Sequence, residues 1–459
     1  MLGDNFKNRI ADELHGVFDN IKPKVSKGSP FHFLHSLYDG IYTGAFQPGL
    51  VTDGRVHIRD GKDSKRTMVM VIIAMIPCLL FGMWNAGYQH FTPLIAAASD
   101  LLANMNANAL SFDLIMEQAN ILAAVHQPLA DAIYEAGRGG SLTEPEQLSI
   151  IYQSLTDLSN VGFSGKFIYG AIRVLPIVVV AYATGLAIEF AVAQMKGHPI
   201  AEGYLVSGML IPLIMPVTIP LWMVAVASAF AVIIGKEIFG GTGMNILNVA
   251  LTARVFVFFA YPTYISGDKV WIDSLVDGAS GATALAVGYE GGVGALTNVW
   301  SWWDMFVGTI PGSIGETSFV MILIGAFILV WTGIGSWKIM LSVMLGAGVM
   351  GIILNLVALS PAVENPFLGV PFYYHWVMGG LAFGAVYMAT DPVTAAQTEK
   401  GKWIYGFLIG LFAILIRVLN PAYPEGIMLS ILFFNVFAPL FDYYIVQANI
   451  KRRLAYGTK

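Results

Sequence analysis

The chain has 459 residues and a formal net charge of −5, with 12% charged against 56% apolar residues. A soluble domain carries about twice that share of charge, so the mean hydropathy of +0.66 marks a polytopic membrane protein. The modest acidic excess is spread along the chain and gives nucleic acid no footprint, and a single cysteine, Cys78, allows no internal disulfide.

Residues 1–66 are polar and basic, with Lys7, Arg9, Lys22, Lys24, Lys27, Arg55, Arg59, Lys62, Lys65 and Arg66 ahead of the first long apolar run, about 67–88. The first thirty residues hold no apolar core of signal type, so the first spanning segment is expected to direct insertion. Leu34, Leu37 and Tyr38 suggest a short amphipathic helix lying on the membrane or on another subunit. Residues 89–166 form an insertion with more acids than bases. Its helical runs, such as 114–136, carry too many polar residues to span. Further apolar runs fall near 168–195, 203–218, 219–237, 244–262, 317–334, 337–358, 373–390, 403–419 and 425–446. Pro212, Pro216 and Pro220 interrupt the 203–237 pair, as is tolerated where other helices cover the freed carbonyls.

The expected fold is therefore an all-α polytopic membrane protein of about ten transmembrane helices. A cytoplasmic segment (1–66) leads to a first membrane half (67–262) that carries the insertion. A polar, Gly-rich loop (263–316) joins it to a second half (317–446), and a basic tail (447–459) follows. With the N-terminus inside, the inward loops hold Lys196, Lys236, Lys338, Lys400, Lys402, Lys451, Arg452 and Arg453, whereas the outward segments hold only Lys269. That bias puts both termini in the cytoplasm and the 263–316 loop on the outer face. The stretches 235–260 and 418–441 each run from a Gly/Asn-rich turn into an apolar helix. They read either as an echo of two inverted five-helix repeats or as chance similarity of turns.

Within the loop, Asp277-Gly278-Ala279-Ser280-Gly281-Ala282-Thr283 offers a hydroxyl flanked by small residues. Glycines let the backbone bend there. Taken alone, the stretch is either a plain turn or an acceptor for covalent modification. No Gly-x-Gly-x-x-Gly spacing for a dinucleotide and no cysteine set for an iron–sulfur cluster occurs. Electrons would have to arrive from another subunit.

The seven residues resemble the flavinylation motif of membrane subunits that carry FMN on a threonine through a phosphoester. The stretches 236–243, 258–262, 310–316, 388–393, 420–426 and 449–454 resemble the B-subunit family of the Na⁺-translocating NADH:quinone oxidoreductases. The likeness covers nearly the whole chain outside roughly 89–160. It implies FMN on Thr283, a non-covalent riboflavin, transported Na⁺, quinone as acceptor, a flavin transferase, further subunits of one complex and the inner membrane. Asn245 and Asn248 match the family's riboflavin turn, or they cap a helix. Arg254 reads as a buried charge partner or a donor to a flavin, and Arg417 is a further charge late in a span. Glu189, Asp391 and Asp442, with Asp39 less securely, match acids tied to Na⁺. Asp391 also reads as a turn cap and Asp442 as an interfacial charge. Gly185 to Glu189 match a quinone-sensitive helix, although Leu186 stands where the family has a second glycine; close helix packing is the other reading of Gly185. Two rivals follow: the homologous D subunit of the Rnf ferredoxin:NAD⁺ pump, and an inverted-repeat channel or transporter, which has no use for an exposed Ser-Gly-Ala-Thr.

Overall fold

The computed structural model describes residues 16, 20–23, 64–107, 109–138, 143–196, 203–268, 270–273, 281–360, 365–420 and 425–457. The expected N-terminal amphipathic helix and Asp39 lie outside them, as do Asp277, Gly278 and Ser280. Every regular element among the described residues is helical. α1 (Ser64–Asn106) carries the first apolar run onward into the insertion, where α2 (Phe112–Ala123), α3 (Gln127–Arg138) and α4 (Glu144–Ser159) follow. α5 (Phe163–Lys196) returns alongside α1. α6 (Tyr204–Leu213), α7 (Leu221–Val232, extended by a π-turn over Ile233–Glu237) and α8 (Val249–Ala260) complete the first half. α9 (Ala284–Val299) and α10 (Trp302–Val307) lie within the segment read from sequence as a loop. The second half holds α11 (Phe319–Trp331), α12 (Trp337–Ala358), the short α13 (Tyr374–Val377) and α14 (Leu381–Phe383, with a π-turn over Gly384–Met388), α15 (Glu399–Leu419) and α16 (Ile427–Gly457).

A bilayer-spanning helix needs about 20 apolar residues. Among the described residues five stretches meet that length and composition: Thr67–Asn106, Phe163–Lys196, Trp337–Ala358, Glu399–Leu419 and Ile427–Tyr456. α6, α8 and α11 are apolar but shorter. The run 373–390 is not one helix: Gly379 sits at φ +63°, in the left-handed region, and separates α13 from α14.

Close backbone approach organises the packing. A Cβ added to Gly346 of α12 would run into the Phe407 carbonyl oxygen, and one added to Gly410 of α15 would run into that of Val343. Only glycine fits at either place, so these two helices touch backbone to backbone, as small residues permit in membranes. Some neighbour relations recur in the two halves, although the close packing of α1 on α5 has no counterpart between α11 and α12. α5 packs on α6 and α7, and α12 packs on α13 and α15; α7 meets α8 as α15 meets α16.

Irregular backbone is covered by protein, as membrane helix bundles require. The break after α6 pairs with the 310–317 segment: Ile314 N–H donates to Met215 O (3.2 Å) and Gly315 N–H to Leu213 O (2.7 Å). Asn85 of α1 donates to Ile310 O (3.1 Å). The insertion has a core of its own, with Leu94, Leu101, Ile115, Leu122, Leu129, Ile151 and Leu155 buried together.

Candidate functional site

α8 runs between two cavities. Near its C-terminal half lies a cavity of about 290 Å³, lined by Arg254, Phe258, Ser266, Trp271, Thr283, Tyr289, Ser313, Glu316, Gly379 and Glu425 among others. At its N-terminus lies a second, of about 90 Å³, lined by Lys236, Thr242, Asn245, Asn248, Tyr387, Thr390 and Asp391 among others.

Thr283 stands at the mouth of the larger cavity because it is the N-cap of α9. It has extended backbone (φ −78°, ψ 160°), and its Oγ1 accepts from the Ala286 N–H at 3.3 Å. Threonine is a preferred cap for this reason. Gly281 is buried and Ala282 half-buried beside it. The chain leading to the motif is also held: Thr218 Oγ1 donates to Val270 O (2.6 Å), Tyr169 Oη donates to Asp273 (2.6 Å), and Arg173 pairs with Asp273 at 2.6 Å.

The deep end of this cavity is charged. Arg254 is 2% exposed; it donates to Ser313 Oγ (2.9 Å) and pairs with Glu425. Arg417, fully buried on α15, donates to the carbonyls of His375 (2.8 Å) and Glu425. Glu316 is buried against the Gly379–Gly380 break, where a Cβ on Gly380 would meet its Oε1 at 2.7 Å. Oε1 of Glu316 and Oε2 of Glu425 have no hydrogen-bond partner among the described residues. Buried acceptors left so are expensive, and two at one cavity floor suit a ligand that brings donors.

The smaller cavity is built on caps. Asn248 caps α8 through its Oδ1, which accepts from Leu251 N–H (3.2 Å), while its Nδ2 donates to Asp391 Oδ2 (3.2 Å). Asp391 also accepts from Val393 N–H (3.1 Å) and Thr394 Oγ1 (3.0 Å). Asn245 donates to Leu247 O at 3.1 Å. Asn248 thus caps a helix and Asp391 holds a turn, and both line the cavity at the same time.

Of the remaining candidates, Glu189 lines neither cavity. It is 3% exposed and pairs with Lys236, which does line the smaller one. Gly185 lies beneath the Tyr204 ring, where an added Cβ would overlap Cζ. Tyr204 Oη in turn donates to Ala181 O (2.8 Å). Asp442 accepts from the backbone of Gln397 (2.7 Å) and Thr398 (2.9 Å) and from Thr398 Oγ1 (2.6 Å), and so holds the start of α15. Thr283 and Arg254 share one cavity, Asn245, Asn248 and Asp391 share the other, and Asp442 stands apart. Lys236, Glu316 and Glu425 line the cavities without being singled out as site residues in the sequence, and Arg417, noted there as a charge within a span, lies beside the larger one. Lys236 and Arg417 show there only as charges near or within a span. Glu316 and Glu425 sit inside stretches that carry the family resemblance, which is the one signal that could have found them.

Helices long enough to span, with irregular segments and polar cavities sealed between them, define a multi-pass membrane protein. The chain belongs to the NQR2, RnfD, RnfE family, whose model matches residues 51–451. It is 44% identical over 443 residues to the B subunit of the Na(+)-translocating NADH-quinone reductase of Stutzerimonas stutzeri, covering 96% of this chain and 99% of that one. The protein of the same name from Chromohalobacter salexigens is 42% identical, covering 96% of each chain. That from Haemophilus influenzae is 41% identical, covering 96% of this chain and 98% of its own.

Proposed function

We propose that this chain is the flavin-carrying membrane subunit of a Na⁺-translocating NADH:quinone reductase. In this reading it relays electrons from a partner subunit's flavin toward ubiquinone or menaquinone and couples that flow to Na⁺ export. The observation that carries it is Thr283, a half-buried cap hydroxyl at the mouth of a cavity floored by Arg254 and Glu316. Its support is the near full-length likeness to proteins named as the B subunit of that reductase.

The residues present fit a tethered FMN. A phosphoester on Thr283 would sit at the N-terminus of α9, where free N–H groups favour an anion. Pockets for drug-sized ligands start at about 300 Å³, and the larger cavity is of that order, with Trp271 and Tyr289 along its wall. FMN bound there would supply the electron chemistry, while the chain supplies position and charge. Arg254 would hold a cation at the deep end, and the unpartnered oxygens of Glu316 and Glu425 would meet ring N–H or ribityl O–H groups. The smaller cavity has room for a few waters or a small ion. Riboflavin at Asn245 and Asn248 would therefore need the 240–248 turn to open. Na⁺ is assigned to Glu189 and Asp391, with Asp442 and Asp39 as further candidates, and quinone to the Gly185–Glu189 face.

Ten spans in two inverted five-helix repeats complete the reading, and the neighbour relations that recur in both halves are in keeping with it. The distribution of Lys and Arg supports cytoplasmic termini and a periplasmic Thr283 in the inner membrane. Other subunits bring the electrons, and a flavin transferase loads Thr283. In-gel ultraviolet fluorescence of the denatured chain from matured membranes tests the reading. A fluorescent band that disappears in Thr283→Val is expected; a dark band from fully matured material overturns it.

A further inference from the structure

Lys236 and Glu189 are each 3% exposed and form an ion pair between the π-turn after α7 and the C-terminal part of α5. Glu189 keeps a second oxygen, Oε2, without a partner among the described residues. Lys236 is also part of the wall of the smaller cavity, which Asp391 lines too. Lys236 therefore joins a buried ion pair with Glu189 to the wall of a cavity that also holds Asp391. A buried carboxylate left without a cation is strongly unfavourable. The place at Glu189 is one at which a cation already sits, on a side chain whose four-carbon stem can swing.

We propose that Lys236 is a tethered cation that Na⁺ displaces from Glu189. Without Na⁺ its ammonium pairs with Glu189. When Na⁺ takes Glu189, with the free Oε2 as a hard oxygen ligand, the ammonium turns into the smaller cavity toward Asp391. One positive charge replaces another at Glu189, so that carboxylate is never left bare, and the return of the ammonium expels the ion. The inference rests on the Na⁺-translocating reading and adds the residue that competes with the ion. The competition raises the apparent Na⁺ dissociation constant to the intrinsic one divided by the fraction of time the lysine leaves the site free.

The test uses the purified, assembled complex in mildly alkaline buffer, with quinone reduction followed against added NaCl at constant ionic strength with KCl. Lys236→Met removes the competitor, so Na⁺ half-saturation falls by about tenfold or more, while maximal turnover drops because nothing expels the ion. Glu189→Gln removes the ligand, so half-saturation rises. In Glu189→Gln/Lys236→Met, which buries no unpaired charge, half-saturation matches Glu189→Gln alone. A purely packing role predicts no opposition of sign between the two single variants. Half-saturation unchanged or raised in Lys236→Met overturns the proposal. If that variant does not assemble, a double variant whose half-saturation differs from that of Glu189→Gln overturns it instead. Wild-type turnover indifferent to Na⁺ would mean that the functional reading, and not the exchange alone, is at fault.

Discussion

The two cavities flanking α8 use the same construction and reach different ends. Each lies where a helix starts or breaks: Asn248 and the 390–394 turn at one, Thr283 and the Gly379 break at the other. In the smaller cavity the cap and turn groups satisfy one another. Asn248 and Asp391 face each other, and Asp391 accepts three hydrogen bonds. In the larger cavity two carboxyl oxygens are left over around Arg254. Self-satisfied polar groups make a rigid chamber for water or a small ion. Leftover ones, with aromatic walls and a tethering hydroxyl, make a seat for a larger polar ligand.

The contrast can be broken most severely at Arg254. Arg254→Met removes the ion-pair partner of Glu425 and should cost about 3–5 kcal/mol, as breaking a buried pair does. The expected result is little assembled subunit in detergent, measured by size-exclusion recovery and thermal unfolding. Gly185→Ala comes next. Its methyl would overlap the Tyr204 ring, and overpacking costs about 1–3 kcal/mol. Adding Tyr204→Leu should restore thermal stability but leave quinone KM raised, because quinone is assigned to this face. KM restored together with stability would mean that Gly185 serves packing against Tyr204 alone. Asn248→Ala removes a helix cap and the link to Asp391 and should cost about 1–2 kcal/mol, whereas Asn248→Asp keeps the cap but sets a second carboxylate beside Asp391. The smallest effect is expected at Asp273→Asn. Its partner Arg173 is half exposed, so at most about 1 kcal/mol is lost, read as a small shift in unfolding temperature with the Thr283 modification intact.

Much of this was legible in the sequence, and what was not has a physical cause. Long apolar runs gave α1, α5, α12, α15 and α16 because a bilayer demands length. Thr283 stood out because its small neighbours do. The 373–390 run looked continuous because hydropathy does not register the positive φ of Gly379. Lys236 counts as a loop charge in the sequence, yet it is buried against Glu189; whether a lysine near a span end reaches solvent or a partner is decided by the helix facing it. Glu316 and Glu425 come within reach of Arg254 only when the 310–317 segment folds back against the break after α6 and the chain before α16 meets α8. No local pattern encodes that meeting.

The central claim is that Thr283 tethers a flavin over the Arg254 floor. Mass spectrometry of the Thr283 peptide from matured membranes measures it most directly. A mass gain of FMN less water, localised to that side chain and absent in Thr283→Val, is the predicted result. An unmodified Thr283 peptide from an active, fully matured complex would contradict it.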